Sequence, residues 1–310
     1  MRIDVEFIDQ NKKLFNYTKH ISLPAFLKHA ALSGQGQMFG VLPTIARGLG
    51  AFMFYNRYID FDFLNFRGFR TADLNLYDPT DQGAFSTIVG KAIADFLAKN
   101  ILGAKYTHSY ESAMVLMDHP IVGERPDLYC TTASQQFAME AKGFSARSVS
   151  PRDMAEHKEQ SRSGPIEVNF SVASVSYNIY EKLRCKFHDP VGKDVPFYKD
   201  VNETLARLYY GRLIEELDNS LSFGELEIYG RSFRAYDLSA FFYLSPREDS
   251  IYIVVEEICT KQDNAFSFTE YNFERLDEEL LYVDTDGIGI LVGRHLETER
   301  KNIRRRGVFS

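Results

Sequence analysis

Two carboxylates and a lysine stand close together near the middle of this chain: Asp127, which follows Pro126, and the tripeptide Glu140-Ala141-Lys142. Phosphodiester hydrolysis assisted by a hard divalent cation needs oxygen ligands a few ångströms apart, usually carboxylates and backbone carbonyls. Some such sites add a side-chain cation to stabilise developing charge. The three residues supply the charged types, but spacing alone is a weak signal. Acid-x-Lys occurs again at Glu156-His157-Lys158 and Glu299-Arg300-Lys301, in polar segments where the two charges would lie on different sides. Only the copy at 140–142 lies within an apolar stretch, Phe137-Ala138-Met139, shortly after the chain's one Pro-Asp. An acid and a lysine side by side on such a strand cost stability unless a metal or a partner offsets their desolvation. The competing account is a structural salt bridge on a sheet's solvent face, with Asp127 a turn residue.

Whether these groups converge depends on the elements that carry them. Residues 136–143 and 126–131 read as two short strands joined by the small polar turn 131–135. On a strand, residues two apart share a face, so Glu140 and Lys142 point one way and Ala141 the other. If the two strands pair, Asp127 joins that face. Upstream, Phe85, Ile88, Val89, Ala92, Ile93, Phe96 and Leu97 repeat at helical spacing behind Asp81 and form one apolar stripe, ended by Gly103. Residues 104–111 then read as a strand or extended segment. Downstream, 144–164 turns polar and basic, with Pro151 placed to open a helix. Residues 166–179 alternate as a strand, and Asp200-x-x-Glu203 signals a helix start before Leu205, Leu208, Tyr209, Leu213 and Leu217. Ile3, Val5 and Phe7 alternate as a strand near the start. The last third offers strands at 225–229, 236–244, 251–258 and 287–292, a turn at 245–249 and a short helix near 270–281.

With its setting, Gly123-Glu124-Arg125-Pro126-Asp127-Leu128 followed by Phe137-Ala138-Met139-Glu140-Ala141-Lys142-Gly143 resembles the signature of the PD-(D/E)XK nuclease superfamily, over about residues 80 to 180. The resemblance implies an α/β fold. It would have a restriction-endonuclease-like mixed central sheet flanked by helices, with additional N-terminal and C-terminal α+β regions. It implies that Asp127, Glu140 and the Ala141 backbone carbonyl bind Mg²⁺, for which Mn²⁺ substitutes, and that Lys142 orients or activates the attacking water. The catalytic set would then be Asp127, Glu140 and Lys142. Relatives often carry a further acid. Glu111 is the candidate, while Asp95 reads as a solvated helix residue and His108 as a hydrogen-bonding one. Relatives also often have a Lys or Gln on the following helix, where Lys158 and Gln160 stand. The cluster of Arg147, Arg152, Lys158 and Arg162 suits a phosphate-binding flank, with a solvated helix face as the plainer account.

The activity expected on this basis is endonucleolytic hydrolysis of DNA, in a restriction, repair or anti-phage defence setting. The alternative is a catalytically silent nuclease-fold module that binds nucleic acid or a partner subunit. Three divisions follow: residues 1–75 of unknown role, 76–190 as the nuclease-like core, and 191–310 as an α+β region for recognition or assembly. A homodimer is suggested by the aromatic-rich stretch from Phe52 to Phe69 and by the need to cut two strands. The formal charge of −7 argues against a chain that holds nucleic acid through bulk positive charge, though not against a local basic groove. Cys130, Cys185 and Cys259 lie far apart, so neither a zinc site nor a disulfide framework is indicated. No apolar run approaches the ~20 residues of a membrane helix, and no leader is evident, so a cytoplasmic protein is expected. The basic run Arg300 to Arg306 reads as a nucleic-acid contact or a solvated end.

Overall fold

A computed structural model describes residues 1–34, 78–188, 192–238, 251–260, 273–278 and 280–292, with short pieces at 43, 45–46, 48, 50, 59–61 and 69–71. The chain is mixed α/β, built on a seven-stranded mixed sheet and a six-stranded antiparallel sheet. The first sheet draws on β1 (Arg2–Ile8), β2 (Leu14–His20), β5 (Tyr106–Ser109), β6 (Leu128–Thr131), β7 (Gln136–Gly143), β8 (Phe170–Tyr177) and β9 (Arg184–His188), after the small hairpin β3 (Ile59–Phe61) and β4 (Phe69–Thr71). Its order is β2-β1-β9-β8-β7-β6-β5, with β7–β8 and β1–β9 parallel and the other pairs antiparallel. The strands β1 and β2, from the first of the three divisions, therefore share one sheet with the second through the β1–β9 pair.

Helices lie between these strands: α1 (Leu23–Leu32), α2 (Pro79–Ile101), α3 (Tyr110–Leu116), α4 (Pro151–Gln160) and α5 (Lys199–Ser220). The apolar stripe of α2 is buried as its spacing requires, with Phe85, Val89, Ile93 and Leu97 in one cluster with Phe137, Met139 and Ala141 of β7. Each such side chain removed from water contributes roughly 1.5–3 kcal/mol. Gly103, at φ 68°, takes the left-handed turn after α2, a conformation nearly free of penalty only for glycine. The opposite sheet face is covered by α3 and α5 over Tyr129 and Ala138, and by Met154 of α4 over Ala173 and Val175. Ser150 and Asp153 form a reciprocal capping box at the start of α4.

The second sheet contains β10 (Phe223–Ile228), β11 (Arg231–Asp237), β12 (Ile251–Glu256), β15 (Ile288–Val292), β14 (Leu281–Val283) and β13 (Leu276–Asp277), in that spatial order.

Several expectations are corrected. The extended segment proposed for 104–111 ends at Ser109, whose side chain accepts from Ser112 N and starts α3; at seven residues, that helix is too short to display a period. The helix expected after Asp200-x-x-Glu203 is present as α5, but it begins at Lys199 and no side chain caps it. Where a helix was expected near 270–281, the described part holds β13 and the start of β14. The turn at 245–249, most of the aromatic stretch Phe52 to Phe69 and the run Arg300 to Arg306 lie outside the described residues. Among the described residues no helix is long and apolar enough to cross a membrane.

Candidate active site

The pairing of β6 with β7 sets Leu128 opposite Met139 and Tyr129 opposite Ala138. Continued by one pair, this register puts Asp127 opposite Glu140, and by two, Pro126 opposite Ala141. Directly opposed residues share a face, and Lys142 lies two beyond Glu140, so all three charged side chains meet on one side of the sheet. Asp127 Oδ2 accepts a hydrogen bond from the Ala141 backbone N–H at 3.0 Å. Pro126 has no N–H with which to satisfy the carbonyl of Ala141. The Pro-Asp pair thus replaces one rung of the ladder with a carboxylate.

Glu140 is the most constrained member. It is 0% exposed, and neither carboxylate oxygen has a hydrogen-bond partner of ordinary geometry. Lys142 Nζ closes on Oε1 as an ion pair. Burial, reinforced by the charge of Asp127, pushes the Glu140 carboxyl up to about 7, against the smaller opposing pull of Lys142. Burial alone would lower Lys142, but the Glu140 carboxylate beside it, with Asp127, raises it instead. A fully buried carboxylate whose ion-pair partner is the partly exposed Lys142 is disfavoured as an anion unless a further cation joins it.

That is the property a hard-cation site requires. Asp127 and Glu140 supply two carboxylates, and Ala141 a carbonyl with no donor across the ladder, all oxygen donors of the kind that Mg²⁺ prefers. Among the described residues, no group of three or more His, Cys, Asp and Glu side chains is arranged around a metal position. The fit therefore rests on two carboxylates and backbone oxygen. Glu111 is not brought into this pair: it sits in the first turn of α3 and is held by Arg125, whose Nε donates to Glu111 Oε1 at 3.0 Å.

The basic residues of the flank separate. Arg147 is bound to Glu181 and Arg152 to Glu156, so both are neutralised by exposed carboxylates. Lys158 and Gln160 are partly buried on α4, and Arg162 lies exposed just beyond its end. The residue of α4 that feels Lys142 is His157, which stacks on Phe144 at 5.7 Å between ring centroids. Burial and then the charge of Lys142 hold its imidazole below the ordinary range. The sequence signals it as one of the basic residues of the segment 144–164 and as the middle residue of a discounted acid-x-Lys copy.

Asp95 and His108 behave otherwise than expected. Asp95 is 1% exposed; its carboxylate accepts from Thr107 Oγ1 at 2.7 Å and faces His29 Nδ1 at 2.8 Å. With Asp95 ionised, His29 Nδ1 carries the proton and Nε2 accepts from the Tyr282 hydroxyl at 3.2 Å. His108 Nε2 is buried without a hydrogen-bond partner, and burial drives its imidazole down to about 3, so it is neutral. Neither residue is in the Asp127 cluster. Asp95 belongs instead to a buried ionic network in which Lys28 Nζ meets Asp284 at 2.8 Å and Asp286 at 2.6 Å, and Lys99 Nζ meets the same two carboxylates at 2.9 and 2.8 Å.

No protein-family model, curated protein or solved structure matches the chain.

Proposed function

We propose that the chain is a Mg²⁺-dependent nuclease that hydrolyses phosphodiester bonds, acting on DNA as an endonuclease, with a restriction-endonuclease-like core. One observation carries the reading: a fully buried glutamate whose carboxylate oxygens lack ordinary hydrogen bonds, beside Lys142 on β7 and next to Asp127, which enters the neighbouring strand and binds the Ala141 N–H. Support comes also from the run of α2, a strand entered directly from Asp127, an acid-x-Lys strand and α4, the order that the resemblance to PD-(D/E)XK nucleases implies. The choice of DNA over RNA follows that resemblance alone.

In this mechanism Asp127 and Glu140 would hold the cation, together with the Ala141 carbonyl. When bound, Mg²⁺ supplies Lewis-acid polarisation of the phosphate. Lys142 is kept protonated by its acidic neighbours, so it donates rather than abstracts. It orients the attacking water and places positive charge beside the developing negative charge of the phosphate. The Asp127–Ala141 hydrogen bond fixes the carboxylate against the strand before substrate arrives, which removes an ordering cost from the reaction.

The test is cleavage of plasmid and single-stranded DNA by wild type, Asp127→Ala and Lys142→Ala in Mg²⁺, Mn²⁺ or EDTA. The expected result is metal-dependent cutting by wild type, reduced on the order of 10²-fold or more in either variant. Cutting that persists unchanged in both variants overturns the proposal. No cutting by any of the three, with salt-sensitive DNA binding retained, identifies a silent nuclease-fold module instead.

A further inference from the structure

On the Glu140 face of the seven-stranded sheet, a groove of about 530 Å³ opens at the start of β8. It is walled by three separate stretches of chain. Lys12 comes from the β1–β2 turn, Arg162 from the end of α4 together with the connection 164–168, and Lys193 from the segment that leads into α5. Glu167 is the one acid in the lining, and none of the three cations has an ion-pair partner among the described residues.

The walls are set in advance. Asp9 Oδ1 accepts from the backbone N–H groups of Asn11 and Lys13, at 2.9 and 2.8 Å, and pins the turn that carries Lys12. Asn169 ties the other side. Its backbone oxygen accepts from Lys193 N at 2.5 Å, its Nδ2 donates to Val195 O at 2.9 Å, and its Oδ1 accepts from Gln136 N at 2.9 Å.

The groove also neighbours the candidate active site. Ser171, in its floor, is opposite Ala138 in the parallel β7–β8 pair, and Ala138 is two residues before Glu140 on the same face. One strand across and two residues along places Ser171 about 8 Å from Glu140.

We propose that this groove binds the phosphates of a single nucleic-acid strand flanking the scissile position, so that the substrate is single-stranded DNA or an unpaired end rather than an intact duplex. Three unpaired cations from three rigidly held segments form an anion-binding lining, and each phosphate neutralised releases counterions. The volume is that of a pocket for a small molecule, or about one or two nucleotides of one strand, and is too small to take in a paired segment of two strands. This inference rests on the nuclease reading only for the position of the scissile phosphate; strand binding is measured without cleavage.

The experiment is fluorescence anisotropy of the full chain in EDTA, with a labelled oligo-dT and a blunt hairpin duplex titrated at several NaCl concentrations. Wild type is compared with the triple variant Lys12→Glu, Arg162→Glu, Lys193→Glu and with each single variant, with thermal melts to establish folding. Wild type is expected to bind the single strand at least 10-fold more tightly than the hairpin. The triple variant is expected to weaken single-strand binding by at least 10-fold. Its salt slope should fall by about 2, because each phosphate of a single strand that is no longer neutralised takes about 0.7 from that slope. If the triple variant fails to melt as wild type does, the same comparison is read from the single variants, each expected to lose part of the affinity. Equal affinity for both probes, or strand binding unaffected in the folded variants, overturns the inference. Binding that depends on the three cations in a protein that never cuts leaves the groove standing and removes the nuclease reading. Asp127-dependent cutting with strand binding indifferent to the three cations does the reverse.

Discussion

Glu140 is where residue chemistry and function meet. Its carboxyl is held at about 7 in the folded chain by burial first and by Asp127 second, against 4.5 for the ordinary group. A raised folded value means the folded state binds the proton more tightly than the unfolded one. Stability is then greatest below about pH 4.5 and declines as pH rises through 7. At pH 8 without metal, Glu140→Gln should stabilise the protein by ~1–3 kcal/mol, since each tenfold difference in proton affinity between the two states is worth about 1.4 kcal/mol and Lys142 offsets part of it. Mg²⁺ should raise the melting temperature of wild type and leave Glu140→Gln unmoved. A differential scanning measurement in which the variant melts below wild type in EDTA, or Mg²⁺ shifts both alike, removes Glu140 from the cation site.

At the scale of elements, the position of β7 depends on how closely α2 can approach it. A Cβ added at Gly143 would run into the Ser86 carbonyl, and one at Gly90 would come within 2.5 Å of Gly143 N and the Lys142 carbonyl carbon. Helix and strand meet glycine to glycine, directly behind Lys142. Gly143→Ala should therefore destabilise the chain, by on the order of 1–3 kcal/mol, because backbone must move to admit the methyl. Gly83→Ala, on the same helix with nothing within 4 Å, should be neutral or stabilising by about 0.5–1 kcal/mol through helix propensity alone. Urea midpoints of the two variants make the comparison; equal values would show that the close approach carries no energy. This packing explains how much of the layout was legible. The stripe of α2 and the strand 136–143 are written in local spacing, whereas α3 is one short helix begun by Ser109, and only its packing on α5 and β6 gives it a place.

Across the whole molecule, the two sheets are coupled by buried charge. Lys28 of α1 and Lys99 of α2 both reach Asp284 and Asp286 in the β14–β15 turn, while Arg275 meets Asp284 at 3.3 Å and Asp95 joins through His29. Such a network is weak evidence of net stabilisation, but breaking it strands a buried cation, at a cost of about 3–5 kcal/mol. Asp284→Asn should therefore lower stability by that amount. Burial would raise Asp284, but Lys28 and then Lys99 outweigh it and hold the carboxyl well below its ordinary range; Asp95 is also held low, chiefly by Lys99 and His29 against its own burial. For groups depressed in this way, stability is fully present above the unfolded carboxylate value, about pH 4, and is lost as pH falls through the folded value. Denaturation curves between pH 7 and pH 2 should show this loss in wild type and a shallower one in Asp284→Asn. Equal acid sensitivity would show that the network does not govern it.

The one-dimensional chain determined which residues could hold a hard cation, because the pattern Pro-Asp, turn, acid-x-Lys is local and its two strands are adjacent. It also determined the main helix before them and the capped helix after them, since amphipathic period and Ser/Pro caps are short-range signals. Tertiary structure decided what distance in sequence concealed. Asp95 looked solvated because its partners His29, Thr107 and Lys99 are brought to it by folding, and only then does burial become tolerable. Lys12, Arg162 and Lys193 become one groove only when a hairpin tip, a helix end and a connecting segment meet at the start of β8. Asp127 and Glu140 needed the antiparallel register to become a pair, and it is the lack of an ordinary hydrogen-bond partner at Glu140, a property of the packed fold, that singles this copy of a common tripeptide out as the proposed cation site.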